Sequence, residues 1–269
     1  MLPKLVSGKL EVRIVKTDFL YRYISFETFV GMVQNSSLTF VLPSIWDDPQ
    51  EESPFVQLLN KKSSAVEAAF FIGSHNKTYA QSWSKLSESD AMWRIYSYNN
   101  RAIRVRVTKD KLSLLDNVKI VPVTYSDSPF DCETVDENSL FTSLAYKRKA
   151  FEHEKEVRLI SSYKYKDEQD AQQHIKAVFI QYKHKDRWKM LESMFPKLEF
   201  EEQMDKVIEL LNKGNKRKET KEISYAHIPD FIDGVMVHPL APEWYVEIVK
   251  EFCKRNNVCF EGKSKLYIK

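Results

Sequence analysis

The chain predicts an α+β fold, a mixed and mainly antiparallel sheet with flanking helices, on three observations. Short runs with a two-residue alternation, such as Ile103-Arg-Val-Arg-Val107, are the pattern of half-buried strands. Apolar residues three and four apart, such as Phe26, Phe29, Val30 and Val33, are the pattern of helices. The two kinds of segment do not alternate regularly, which disfavours a doubly wound parallel sheet. The chain has 269 residues, 43% of them hydrophobic and 29% charged, enough to bury a substantial core. No Pro/Gly-rich linker divides it, so the expectation is a single domain over 1–269, its core spanning about 10–182 with a helical and C-terminal strand segment over 183–269 packed on it.

The elements follow in order. A strand is expected over 19–24, then a helix capped by Ser25 and ending near Gln34, then a strand over 37–41. Trp46-Asp47-Asp48-Pro49 reads as a turn, because Asp side chains accept local backbone hydrogens and Pro fixes φ; Glu51 and Glu52 reach a cleft only if this loop folds inward. A helix over 64–73 and a strand over 78–83 come next, and Asp90 opens a short helix running to about Tyr98. Strands are expected over 102–107 and 118–125, a helix over 137–149, and strands over 154–161 and 177–182. Met204, Val207, Ile208 and Leu211 define one amphipathic helix; Tyr245, Ile248, Val249 and Phe252, started by Pro242, define another, with a strand over 233–238 between them.

Composition excludes several chemistries. With 6 Gly and neither Gly-x-Gly-x-x-Gly nor Gly-x4-Gly-Lys-Ser/Thr, dinucleotide-fingerprint and P-loop folds are unsupported. No Gly-x-Ser-x-Gly elbow supports a serine hydrolase. Cys132, Cys253 and Cys259 form no Cys-x-x-Cys pair, which predicts neither a disulfide framework nor a cysteine zinc site and points to a reducing cytoplasm. The six His form no metal pair, and no metal is expected. No stretch approaches the ~20 apolar residues of a membrane span. A net charge of +3 does not announce nucleic acid; the basic run over 213–221 reads first as a solvated loop and second as a phosphate contact.

Polar and aromatic residues concentrate in Ser82-Trp83-Ser84, Met92-Trp93-Arg94-Ile95-Tyr96 and Glu152-His153-Glu154-Lys155-Glu156-Val157-Arg158. Together with Leu20-Tyr-Arg-Tyr23, the Trp46-Asp-Asp-Pro-Gln-Glu turn and the late Val235-Met-Val-His-Pro-Leu-Ala-Pro segment, they resemble the bacterial family catalogued as domain of unknown function 2971. More remotely, the order arginine, serine strand, glutamate strand is similar to that of ADP-ribosyltransferases. That similarity implies an ADP-ribosyltransferase-like core and NAD as the substrate, with Arg22 clamping phosphates, Ser82 and Ser84 bracing the site and Glu156 stabilising an oxocarbenium-like sugar. Glu154 takes the first place of that superfamily's Glu-x-Glu pair, while tryptophan stands where its serine motif has a central threonine. The resemblance implies a bacterial toxin or phage-defence effector with a nucleic acid or protein acceptor.

The residues also carry their own readings. On a strand, Glu154, Glu156 and Arg158 share one side, either lining a site or facing solvent with cross-strand pairs to Arg104 and Arg106. Arg22, between Tyr21 and Tyr23, suits pyrophosphate or an ion pair with Asp47 or Asp48. Trp93 and Tyr96 lie three apart on one helix face and either stack on a ligand ring or join the core. His153 is a candidate proton shuttle or a surface residue, and His238 reads as structural. Two further function classes remain: a non-catalytic nucleotide-sensing or partner-binding module, and a nuclease-like effector holding Mg²⁺ on Asp47, Asp48, Glu154 and Glu156.

Overall fold

The computed structural model describes residues 18–52, 54–55, 77–130, 137–162, 169 and 219–267. The helix expected over 64–73, the strand over 177–182, the helix around 204–211 and most of the basic run over 213–221 lie outside the described residues.

The class is α+β, with a mainly antiparallel open sheet and a few helices. Strand β1 (Phe19–Ile24) runs into helix α1 (Phe26–Asn35), whose first turn is capped by Ser25: its Oγ accepts from the Thr28 amide at 3.2 Å. Ser36 ends the helix in the left-handed region at φ 47°, returning its N–H to the last carbonyls, and β2 (Ser37–Val41) starts at once. Next come β3 (Tyr79–Ser84), α2 (Asp90–Ile95), β4 (Ile103–Thr108), α3 (Lys109–Ser113), β5 (Val118–Pro122), β6 (Thr124–Tyr125), α4 (Glu137–Ser143), β7 (Tyr146–Lys147) and β8 (Glu156–Ser161). The chain ends with β9 (Thr220–Ser224), β10 (Gly234–Val237), α5 (Glu243–Arg255) and β11 (Phe260–Lys263). No described helix is long and apolar enough to cross a membrane.

The sheet order is β11-β10-β4-β1-β3-β2-β9, with β8 joining β3 to β5. Among the described strands only β10 with β11, and the small pair β6 with β7, run parallel. The described C-terminal residues do not simply pack on an earlier core, as the sequence suggests, because β9, β10 and β11 extend the sheet itself at both ends. One face carries the main core, where Leu20, Ile24, Trp83, Ile103, Val105, Val107, Val157 and Leu159 meet Phe29 and Met32 of α1 and Tyr245, Val249 and Cys253 of α5. Each such fully buried side chain contributes about 1.5–3 kcal/mol. A second cluster of Phe55, Ala80, Phe130, Leu140, Phe141, Leu144 and Ile160 packs elsewhere on the sheet.

Three expected elements change, each for a physical reason. The helix over 137–149 stops at Ser143; the chain then forms β7 and a 3-10 helix over Lys149–Glu154. The early stop leaves the Leu144 carbonyl free to accept from Arg158 at 2.6 Å. The strand over 118–125 divides at Pro122, which has no N–H to continue a ladder, and β6 turns away to pair with β7. The strand expected from 154 starts at Glu156, because Lys155 is left-handed at φ 44°.

Arg104 and Arg106, on the sheet face opposite Val105, converge on the Glu261 carboxylate at 2.6 and 3.0 Å. That carboxylate lies over Gly234, where an added Cβ would meet Glu261 Cδ and Oε1 at 2.7 Å. Because two guanidinium groups hold Glu261 in place, we expect Gly234→Ala to destabilise the fold by about 1–3 kcal/mol, measured by chemical denaturation. A stability equal to that of the wild type would show that Glu261 yields freely.

Candidate functional site

A split in the sheet builds the site. One edge of β3 pairs with β8 along its whole length, from Tyr79↔Ser161 to Ser84↔Glu156. The other edge meets β1 only at Tyr21↔Ser84 and β2 only at Val41↔Ala80. Between those two bridges no described strand pairs with this edge of β3. The Gln81 side chain spans part of the gap, its Nε2 donating to the Thr39 carbonyl at 2.8 Å while its Oε1 accepts from Trp83 Nε1 at 2.8 Å. A cleft of about 320 Å³ opens at the split, with walls from β1, β2 and β3 and further lining from Trp46, Tyr96, Glu154 and Glu156.

Behind the cleft lies a buried ionic cluster. Arg158, 1% exposed, donates through Nε to Glu156 at 2.8 Å, through Nη1 to the Leu144 carbonyl and through Nη2 to Glu51, and its guanidinium covers the Trp46 ring at 4.0 Å. Lys147 joins Glu51 at 3.4 Å, Glu154 at 2.8 Å and Glu156 at 3.1 Å. Ser82 Oγ donates to Glu156 Oε1 at 2.5 Å, and the Tyr125 hydroxyl accepts from the Glu156 backbone N–H at 2.7 Å. The turn at 46–52 therefore folds inward and delivers Glu51, while Asp48 stays outside to pair with Arg148 at 2.9 Å.

Three carboxylates surround two cations, and the Lys147 ammonium occupies the position among them that a divalent ion would need. Asp47 is exposed and Asp48 is committed elsewhere, so the four acids named for Mg²⁺ do not gather. Among the described residues no group of three His, Cys, Asp or Glu is arranged to hold a metal. Burial alone would push the Glu156 carboxyl up; the Arg158 charge and hydrogen bond, then Lys147 and Ser82, more than offset it and bring it from 4.5 down to about 2. Glu156 is thus ionised at neutral pH.

Arg22, half-buried on β1, differs from Arg104 and Arg158. It lines the cleft, yet among the described residues it makes no ion pair and no side-chain hydrogen bond; Asp47 and Asp48 do not reach it. Desolvation lowers its guanidinium to about 10, against a smaller opposing effect of Tyr96. It still carries its charge at neutral pH, without a counter-ion among the described residues.

Of the residues singled out from the sequence, Arg22, Tyr23, Ser82, Ser84, Tyr96, Glu154 and Glu156 line the one cleft. Ser84 is buried, with Oγ donating to the Glu154 carbonyl at 2.6 Å, so it fixes the 3-10 turn more than it offers itself to a ligand. Ser82 alone of the two presents its side chain to the open space. The solvent-face alternative for Glu154, Glu156 and Arg158 is overturned, since all three are buried and their strand neighbours are β3 and β5, not β4.

Two residues fall elsewhere. Trp93 is fully buried, edge-on to Tyr23 at 4.8 Å and to His238 at 5.4 Å, with Nε1 donating to Glu88 at 3.2 Å. It is core, and only Tyr96, 42% exposed past the end of α2, remains to meet a ligand. His153 is exposed on the outer side of the 3-10 helix, its Nδ1 3.0 Å from the Ala150 carbonyl, because the helical turn carries it away from the carboxylates on either side. Sequence reasoning did not find Lys147, which the helix expected over 137–149 concealed. One signal was present: an arginine inside Val157-Arg-Leu-Ile160 on a wholly buried strand requires buried acceptors from elsewhere in the chain.

Removing one member of a buried ionic group leaves the others uncompensated. We expect Arg158→Met to cost about 3–5 kcal/mol. Because the folded-state pKa of Glu156 lies below its unfolded value, the stability it confers is complete above about pH 4.5 and is lost as pH falls towards about 2. Glu156→Gln should flatten that acid limb in denaturation titrations; an unchanged limb would assign it to other carboxylates.

Comparison with known proteins finds no matching family model, no matching curated protein and no matching solved structure.

Proposed function

We propose that the cleft binds NAD and supports cleavage of its nicotinamide N-glycosidic bond, with transfer of ADP-ribose to a nucleic acid or protein acceptor, as in the ADP-ribosyltransferases that the Arg22, Ser82 and Glu156 order resembles. The observation that supports it most is Arg22: a desolvated guanidinium with no counter-ion among the described residues, on a cavity wall, is matched by an anion such as a pyrophosphate. Restoring a counter-charge there gains more than the same contact at the surface, because the desolvation is already in place.

The remaining residues fit the chemistry. When the C1′–N bond breaks, its electron pair leaves with nicotinamide and positive charge develops on the ribose. Glu156, ionised at neutral pH, supplies a fixed negative field at the cleft wall, an effect often worth a few kcal/mol in a preorganised site. Ser82 holds the Glu156 carboxylate in place. The acceptor then attacks C1′ and releases its proton; His153 faces away, so the proton passes to solvent or to the acceptor's own groups. Tyr96 stands at the rim as the remaining aromatic contact.

One observation favours a second reading, binding without turnover. Both Glu156 oxygens already accept hydrogen bonds, Oε1 from Ser82 and Arg158 and Oε2 from Lys147. A carboxylate so occupied serves a nucleotide sensor as well as an enzyme.

Arg22→Met and Glu156→Gln separate these readings. We expect Arg22→Met to weaken NAD binding about tenfold or more while melting no lower than the wild type, since it removes an unpaired charge from a desolvated site. Equal NAD affinity in this variant would overturn the phosphate-clamp role. Nicotinamide release by the wild type that is lost in Glu156→Gln with NAD affinity retained supports the transferase; saturable binding with no release in either protein leaves the sensor.

A further inference from the structure

A second cavity, of about 390 Å³, adjoins the first, and Tyr96 lines both. The continuity is covalent as well, because Ile24 and Thr28 wall the cleft while Ser25 and Glu27 between them wall its neighbour. The second cavity lies against the start of α5, where Trp244 is 53% exposed beside Ile248 at 47%. The helix periodicity that placed Ile248 on the buried face is corrected here: Tyr245, Val246, Val249 and Cys253 are buried, leaving Trp244 and Ile248 on the cavity side. The Arg101 guanidinium covers the Trp244 ring at 4.7 Å, and the Tyr245 ring meets it edge-on at 5.9 Å. An indole this exposed, in contact with a cation and bordering a cavity, offers aromatic surface to a planar group.

Resting on the NAD reading above, we propose that this cavity is the subsite for the adenine ring of the dinucleotide, stacked on Trp244, with the pyrophosphate crossing the Tyr96 saddle to Arg22. Volume supports a ligand extending over both cavities: the cleft alone is at the small end of ligand sites, about 300–1,000 Å³, and its neighbour roughly doubles the space. Chemistry supports it too, since a guanidinium without an ion-pair partner among the described residues lies in one cavity and the exposed aromatic face in the other, the same order as phosphate and base along the ligand.

The test is calorimetric titration of the full chain with NAD and, in parallel, with nicotinamide mononucleotide, which lacks the adenylate half. Trp244 is 53% exposed and lies outside the buried core, so Trp244→Ala leaves that core intact. We expect Trp244→Ala to weaken NAD binding about tenfold or more, to leave nicotinamide mononucleotide binding unchanged, and to be largely rescued in Trp244→Phe. Unchanged NAD affinity in Trp244→Ala, or an equal loss for both ligands, overturns the adenine subsite while leaving the Arg22 clamp standing. Absence of saturable NAD binding to the wild type overturns both.

Discussion

The Arg158 guanidinium is the group around which the other parts are arranged. It is buried on a central strand among Val157, Leu159 and Ile160, where an unsolvated cation is tolerated only if its donors are all met. Meeting them, alongside the apolar cluster that joins Leu144, Ile160 and Trp46, draws distant segments together: the turn at 46–52 brings Glu51 and the Trp46 ring, the end of α4 brings the Leu144 carbonyl, and Glu156 comes from two residues earlier in the chain. Lys147 then balances the carboxylates that Arg158 does not satisfy. A purely apolar centre would pack as well or better. What the ionic centre provides instead is a fixed, ionised glutamate at the wall of a cavity.

The two kinds of arginine on the sheet make the contrast concrete. Arg104, Arg106 and Arg158 all end on carboxylates of this chain, even where one guanidinium must share Glu261 with another. Arg22 ends on none among the described residues. The gap between β1 and β2 at the middle of β3 gives it a space to face, and Gln81, which crosses that gap, uses its amide for the Thr39 carbonyl and the Trp83 indole, not for the guanidinium. The site thus combines a self-contained acidic wall with a positively charged group that meets no carboxylate among the described residues.

Much of this was legible in the residues. The alternation in Ile103–Thr108 and the Ser25 cap of α1 report local physics, and both appear at the expected positions. Arg22, Ser82 and Glu156, singled out by resemblance in their order, line one cavity. What the sequence concealed was non-local. Helix propensity continues past Ser143, yet tertiary demand for Lys147 and the Leu144 carbonyl ends the helix there. Trp93 and Tyr96 share a helix face by spacing, but the core takes the first and the helix terminates before the second, so one face becomes two environments. The left-handed turn at Lys155 is invisible to a period-two reading and decides that Glu154 and Glu156 reach Lys147 from different backbones.

The shared edge of β3 also bears on how the protein comes into being. Its walls belong to strands recruited from both ends of the polypeptide: β2 is held by β9 through pairs such as Ser37↔Ser224, and β1 is held by β4, which in turn needs β10. Contacts separated by some 185 residues, like Ser37 Oγ to Glu222, form slowly because long loops must close first. The cavity is therefore a late product of folding, since its walls take their places only after β2 has met β9 and β4 has met β10 across long stretches of intervening chain.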